Sequence, residues 1–126
     1  MPKDKAYEAV SGTWRLYESG DAPEGDKYVI KSVETNPAQT ITFSSRGRFK
    51  ARGYDPSFIS LYGPIRTYKI DKVENAANLY SFSYWDKRAN QGQGMKIRQG
   101  VELKSDTLRL TPLCYEGCHF AFVRVK

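Results

Sequence analysis

Gly12-Thr13-Trp14-Arg15-Leu16, near the start of the chain, and Phe120-Ala121-Phe122-Val123-Arg124-Val125, at its end, decide the predicted fold. Both stretches are apolar and aromatic, which is the composition of β-strands. Strands of this kind at the two ends predict that the last strand pairs with the first, because such pairing removes both free edges of a sheet. The sequence therefore predicts a closed sheet in which Arg124 lies across the ring of Trp14 as a structural cation–π pair.

The residues between these two stretches predict further strands and almost no helix. Alternation with period two is clearest at residues 40–44 and 48–52, which a turn at residues 45–47 joins as a hairpin. Further strands are predicted at 12–18, 27–33, 65–71, 79–85, 95–103, 107–111 and 119–125. Because no helix separates them, their pairing is expected to be antiparallel. These segments give a total of eight or nine strands. We predict an all-β, antiparallel, up-and-down barrel of eight strands, preceded by a short helical turn at residues 4–10.

Composition indicates an ordinary soluble domain. The 126 residues are enough for one domain with a buried core, and neither a repeat nor a linker divides them. Charged residues make up 27% and hydrophobic residues 40%, and no apolar run approaches the roughly 20 residues of a membrane-spanning helix. The net charge of +6 permits an anionic partner without requiring one. We therefore expect a single domain over residues 1–126.

A short helical lead-in is followed by Ser11-Gly12-Thr13-Trp14, and Arg124 stands near the end of the last strand. With these residues, and with the segments 39–49 and 106–112, the sequence resembles the lipocalin-like proteins of the calycin superfamily. In that family the tryptophan closes one end of the barrel and the arginine packs over it. The sequence departs from typical lipocalins in lacking a Thr-Asp-Tyr signature and a long C-terminal helix. The segments just named look like those of small bacterial lipocalin-like proteins, many of them exported and lipid-anchored.

The interior of such a barrel is the first candidate site, because eight-stranded barrels hold either packed side chains or one small ligand. The apolar segment 53–64, which we predict to be irregular, is a candidate lid or barrel plug. The residues predicted to line the interior and the lid are Phe43, Phe49, Phe58, Tyr62, Tyr80, Phe82, Tyr84, Met95 and Ile97. These side chains are bulky and aromatic, so a filled barrel is the alternative to a hollow one.

Cys114 and Cys118 flank a three-residue turn, and we predict that they form a disulfide, with free thiols as the alternative. A disulfide implies an oxidising compartment. Residues 1–5 contain no apolar signal region, so either the protein is cytoplasmic or an export signal has been removed. The two cysteines favour the second explanation, and we therefore expect a secreted, periplasmic or cell-surface protein. A membrane tether through that removed segment stays open. No metal is expected, because zinc needs about four ligands and His119 is the only histidine.

A basic strip recurs at every second position around the hairpin and therefore shares one face of a strand. Its members are Arg46, Arg48, Lys50 and Arg52. The sequence predicts a solvated outer face here and no nucleic-acid partner. The reason is that nucleic-acid binders interleave exposed aromatic side chains with basic ones, whereas the intervening positions are predicted to be buried.

No acid pair, nucleophile–base pair or phosphate-binding loop stands out in the sequence, so we expect neither an enzyme nor a cofactor. The leading prediction is a non-catalytic carrier or sensor for a small, mostly apolar ligand. A structural or protein-interaction module with a filled barrel is the alternative, and a binder of nucleic acid or anionic lipid through the basic strip is a weaker one. The oligomeric state is not predicted.

Overall fold

The computed structural model describes residues 2–22, 27–34, 36–112 and 117–125, apart from the side chains of Pro2, Lys3, Asp4 and Ser57. Within these ranges the chain forms two helices, α1 (Pro2–Val10) and α2 (Pro56–Tyr62). The strands are β1 (Gly12–Asp21), β2 (Val29–Ser32), β3 (Thr40–Phe43), β4 (Phe49–Arg52), β5 (Lys69–Lys72), β6 (Leu79–Asp86), β7 (Met95–Lys104), β8 (Thr107–Thr111) and β9 (Cys118–Arg124). Neither helix in this part of the chain is long and apolar enough to span a membrane.

All of these strands belong to one antiparallel sheet, which curls strongly into a half-barrel. Its order is β4-β3-β1-β9-β8-β7-β6-β5, and β2 pairs with β1 on the same side as β3. β2 pairs with residues 18–21 of β1 and β3 pairs with residues 12–15, so the two follow one another along one edge of β1. Counted as a single interrupted strand, they give an up-and-down path of eight strands.

The predicted pairing between the two ends of the chain is confirmed. β1 and β9 are antiparallel, with Trp14 opposite Arg124 and Leu16 opposite Phe122. The register shifts between Leu16 and Glu18, which marks a bulge in β1. Because β1 also pairs with β3, and β9 with β8, both terminal strands lie inside the sheet and neither is an edge.

The two ends of the sheet, β4 and β5, meet at one point. Arg48 and Thr67 form an isolated antiparallel bridge just before these strands begin. The amide of Phe49 donates to the carbonyl of Arg66 at 2.8 Å, and the amide of Tyr68 donates to the carbonyl of Gly47 at 2.9 Å. The edges of the half-barrel are therefore joined by backbone hydrogen bonds at this junction.

Helix α2 replaces the irregular segment predicted for residues 53–64, so that prediction is wrong. Proline is tolerated at the first position of a helix, where its missing amide would have no intrahelical partner, and Pro56 begins α2. The carbonyl of Asp55 accepts a hydrogen bond from the amide of Ile59 at 2.9 Å. Phe58 and Tyr62, four residues apart, lie on one face of the helix, and both are fully buried. This spacing turns the apolar side chains inward.

Helix α1 confirms the helical turn predicted at residues 4–10 and begins two residues earlier. Ala6 and Val10 are buried, and the ring of Tyr7 packs on Tyr68 with 5.4 Å between centroids. The core formed with α2 and the concave face of the sheet is one apolar cluster. Its largest fully buried apolar side chains are Trp14, Tyr62, Phe43, Phe58, Phe82, Phe122, Leu16, Ile41, Ile70, Leu108 and Leu110.

Candidate functional site

Aromatic side chains fill the interior of the half-barrel. The ring of Phe43 lies 5.1 Å from that of Phe49, 5.0 Å from that of Tyr68 and 5.4 Å from that of Phe82, measured between centroids. All three contacts are edge-to-face, which is a favoured arrangement for aromatic pairs. The rings of Phe82 and Tyr84 continue the packing at 5.2 Å. The interior that the sequence offered as a ligand site is therefore occupied by the protein's own side chains.

Helix α2 contributes two more rings to this interior. The centroid of Phe58 lies 6.0 Å from that of Phe120 and 6.2 Å from that of Phe122. Tyr62 lies 5.6 Å from Phe120 and 6.3 Å from Phe49, and thus joins β9 to β4 across the concave face. The sequence offers a lid or a plug for this segment, and Phe58 and Tyr62 lie buried on the concave side of the sheet, as a plug requires.

A series of buried hydrogen bonds between side chains fixes the position of this plug. The hydroxyl of Tyr62 donates to Oε1 of Gln99 at 2.8 Å, and Nε2 of Gln99 donates to the hydroxyl of Tyr84 at 2.9 Å. Desolvation by burial is the main cause that raises the pKa of Tyr62, and it also raises the pKa of Tyr84. Both hydroxyls are therefore protonated at neutral pH. The chain of hydrogen bonds ties α2 to β6 and β7.

The residues predicted to line the interior and its lid do not all lie together. Buried in the core are Phe43, Phe49, Phe58, Tyr62, Phe82 and Tyr84. Tyr80 and Ile97 are half-buried against this cluster. Met95, at the start of β7, is 45% exposed and lies opposite Asp86. The alternation in β6 places Tyr80, Phe82 and Tyr84 on the inner face, whereas Met95 is the first residue of β7 and is open to solvent.

Trp14 and Arg124 fasten α1 to the sheet. The guanidinium carbon of Arg124 lies 4.1 Å from the centroid of the Trp14 ring. Its two terminal nitrogens donate to the carbonyls of Ser11 at 2.8 Å and Ala9 at 3.3 Å. Nε1 of Trp14 donates to the carbonyl of Val10 at 2.9 Å. The last carbonyls of a helix have no intrahelical donor, so these bonds satisfy the end of α1.

Of the two cysteines, Cys118 at the start of β9 lies among the described residues. Cys114 lies outside the described residues, so its predicted disulfide with Cys118 stays a prediction. Among the residues that are described, no group of three His, Cys, Asp or Glu side chains could hold a metal ion.

A polar cluster that sequence reasoning missed lies on the outer face of β1 and β9. His119 is 1% exposed, with Nε2 2.8 Å from Oε2 of Glu18 and Nδ1 2.5 Å from the hydroxyl of Tyr28. Its ring lies over Gly20, which faces it in the register. These partners are 101 and 91 residues away in the sequence, so no local motif could reveal them. The cluster holds the segment before β2 against β1 and β9.

The outer face also carries an exposed tryptophan. Trp85, near the end of β6, is 59% exposed. A Cβ atom on Gly94 would lie 2.6 Å from its indole, so the ring packs on this glycine in the turn that leads into β7. The residue at position 94 must therefore be glycine for the indole to pack against the backbone there. The φ of +86° at this position also favours glycine. Trp85 is an aromatic side chain held in place yet open to solvent.

Two clefts border Trp85 because β5 does not pair with the last residues of β6. β5 pairs with β6 only as far as Lys69 opposite Ser83, and the preceding Thr67 bridges to Arg48 instead. One cleft, of about 350 Å³, is lined by residues that include Thr67, Lys69 and Lys96. The other, of about 450 Å³, includes Arg66, Lys87 and Arg88. Both volumes fall within the range of about 300–1,000 Å³ that is typical of ligand sites.

The basic strip lies on the outside of β4, as the sequence predicts. Arg46, Arg48, Lys50 and Arg52 are all exposed. The intervening Phe49 is buried. Through the bridge from Arg48 to Thr67, this strip adjoins the cleft beside Trp85.

No protein-family model matches the chain, and neither the curated proteins nor the solved structures gave a match. The fold, the filled interior and the outer face are therefore the grounds for a functional proposal.

Proposed function

We propose that this protein is a non-catalytic binding module with a closed, lipocalin-like barrel whose interior is filled, so that it acts through its outer surface. The observation that carries the proposal is the position of Phe58 and Tyr62, which are fully buried between β4 and β9. The interior of a carrier must be open to its ligand, whereas these rings occupy it.

Strand pairing supports the closed barrel. With β2 and β3 counted as one strand, consecutive strands are neighbours in the sheet except for β4 and β5, and the last strand pairs with the first. The remaining gap, between β4 and β5, is bridged at Arg48 and Thr67. The contact of Arg124 with Trp14 at one end of the sheet agrees with the lipocalin-like resemblance.

Energetics favour a filled barrel over a carrier for an apolar ligand. Burial of an aromatic side chain such as Phe58 contributes about 1.5–3 kcal/mol. An apolar ligand would have to displace at least the two rings of α2 and break the hydrogen bond from Tyr62 to Gln99. The gain from burying the ligand would be offset largely by exposing these side chains.

Titration with a fluorescent hydrophobic probe tests the proposal. The wild-type protein is expected to show no saturable binding, and Phe58→Ala is expected to bind the probe because the lost ring leaves an apolar cavity. Leu61→Ala is the matched control, since Leu61 lies on the same helix but is 38% exposed. If Phe58→Ala does not fold, Phe58→Leu provides a smaller cavity. Saturable binding of one probe by the wild type would contradict the filled barrel and support the carrier.

A further inference from the structure

We propose that the outer face around Trp85 binds single-stranded nucleic acid, with one base stacked on the indole and the phosphates held by the surrounding cations. This inference rests on the proposed function in one respect, namely that the module acts through its surface. It names the class of partner that the surface recognises.

Trp85 has the geometry of a stacking platform. One side of its indole packs on Gly94, which fixes the ring, and 59% of the residue is exposed. Proteins that bind single strands stack bases on aromatic side chains held in this way, because every base offers a flat π-face. Stacking on a base would cover the exposed part of this ring.

Cations stand beside this platform on the same face of the sheet. Lys96 lies directly opposite Trp85, and Lys69 and Arg98 lie on either side of Ser83, two residues before it. Paired residues in an antiparallel sheet share one face. All three cationic side chains are exposed, so their charges are available to phosphates on both sides of the indole.

The junction between the sheet edges extends this basic surface. Arg48 bridges to Thr67, which lines the cleft next to Trp85, and Lys50 follows along β4. The exposed aromatic side chain that the basic strip lacks in sequence is thus supplied by β6, about 40 residues away along the chain. Two acidic residues limit the surface. Asp86 is paired with Arg88 at 3.5 Å, and Asp71 lies further along β5.

Charge and shape favour a single strand over other anionic partners. A duplex keeps its bases stacked on one another, which hides them from the indole, and a lipid surface offers phosphates without a ring to stack. Sites for single strands combine a positive groove with such platforms and cover about 4–16 nucleotides. The clefts of about 450 and 350 Å³ on either side of Trp85 provide room for the nucleotides next to the stacked base.

Fluorescence anisotropy with a labelled oligothymidine of about 12 nucleotides tests the stacking. Trp85→Ala is expected to weaken binding roughly 5- to 100-fold, because base–aromatic stacking is removed, and Trp85→Phe is expected to retain most of the affinity. Tyr17→Ala, at an exposed tyrosine of β1, is the aromatic control and should bind like the wild type. An unchanged affinity of Trp85→Ala would overturn the proposal.

A charge-matched pair of variants tests the phosphate contacts. Lys69→Glu combined with Lys96→Glu is expected to weaken binding and to reduce the slope of log K against log salt by about 0.7 for each phosphate that is no longer neutralised. Lys31→Glu combined with Lys104→Glu changes the net charge equally at exposed positions on β2 and β7. An equal loss of affinity in both double variants would mean unspecific charge attraction and would overturn the site.

Competition identifies the partner class. We expect duplex DNA, a mononucleotide and vesicles containing anionic lipid each to compete more weakly than the single strand. Stronger competition by any of them, or no binding of the oligonucleotide by the wild type at low salt, would overturn the proposal. The hydrophobic-probe titration is independent of this result. If the wild type binds neither the oligonucleotide nor the hydrophobic probe, only the proposed partner is rejected. If the wild type binds the probe saturably, the filled barrel is rejected.

Discussion

Arg124 makes more interactions than a cation–π pair alone requires. Its guanidinium lies over Trp14 and also donates to two carbonyls at the end of α1. We therefore expect Arg124→Ala to lower the free energy of unfolding by about 2 kcal/mol, since the substitution removes both the cation–π pair and the hydrogen bonds. The melting temperature is expected to fall by roughly 5–10 °C. Calorimetry measures both quantities.

Two further variants separate the contributions of Arg124. Arg124→Lys keeps a charge near Trp14 but cannot donate to two carbonyls in a fork, so an intermediate stability is expected. Arg109→Ala removes an exposed arginine from β8 and should change the free energy of unfolding by less than about 0.5 kcal/mol. Equal melting temperatures for Arg124→Ala and the wild type would mean that Arg124 does not stabilise the fold.

The polar cluster on the outer face depends on a glycine. A Cβ atom at Gly20 would lie 2.7 Å from Nδ1 of His119 and 2.8 Å from the ring of Tyr28. We therefore expect Gly20→Ala to lower the free energy of unfolding by about 1–3 kcal/mol, because the rings must move. In a His119→Ala background the same substitution should cost less, since the nearer of the two colliding rings is gone and only that of Tyr28 is left. A double-mutant cycle from urea unfolding measures this coupling, and additive effects would contradict the packing.

At the level of elements, α2 is held in the half-barrel by burial and by hydrogen bonds, among them the one from Tyr62 to Gln99. Burial raises the pKa of Tyr62 above the unfolded value of about 10. A raised folded pKa means that the stability is fully present below pH 10 and is lost as the pH rises toward the folded value. We therefore expect the free energy of unfolding to fall as the pH rises above about 10, and to fall less in Tyr62→Phe, which has no hydroxyl to ionise.

Tyr62→Phe also has a cost at neutral pH. Oε1 of Gln99 loses its donor, and an unsatisfied buried acceptor costs about 1–3 kcal/mol. Urea midpoints measured across the pH range thus show two opposite effects of one substitution. Tyr54→Phe, at a position that is 53% exposed, is the control and should follow the wild type. A parallel decline in Tyr62→Phe and the wild type would contradict this explanation of how α2 is held.

In the molecule as a whole, the sequence indicates the strand pairing of the sheet better than what fills its concave side. The pairing of β1 with β9 can be predicted because both strands are marked by their own composition and by Trp14 and Arg124. Helix α2 is not predicted, although Pro56 and the spacing of Phe58 and Tyr62 are visible signals. Apolar residues between glycines and prolines are also typical of a loop, and tertiary packing decides between the two.

The candidate surface cannot be predicted from the sequence for a different reason. Trp85 becomes a neighbour of the basic strip only because residues 66–68 do not pair with β6. They form hydrogen bonds with residues 47–49, at the start of β4, instead. His119 likewise meets Glu18 and Tyr28 only through strand pairing. Such sites are assembled by strand register, and local patterns do not specify which residues a register brings together from distant parts of the chain.

The proposed closure of the barrel depends on the junction of Arg48 and Thr67, which a disulfide can test. The hydrogen bonds on both sides of Arg48 and Thr67 make them a non-hydrogen-bonded pair, with Cα atoms about 4.5 Å apart in such pairs. This separation suits a disulfide. We expect Arg48→Cys combined with Thr67→Cys to oxidise readily and to stabilise the protein by about 3 kcal/mol, since it closes a loop. Lys50→Cys with Thr67→Cys is out of register and should cross-link slowly. Peptide mapping identifies the bond, and equal rates for both pairs would mean that the barrel is open here.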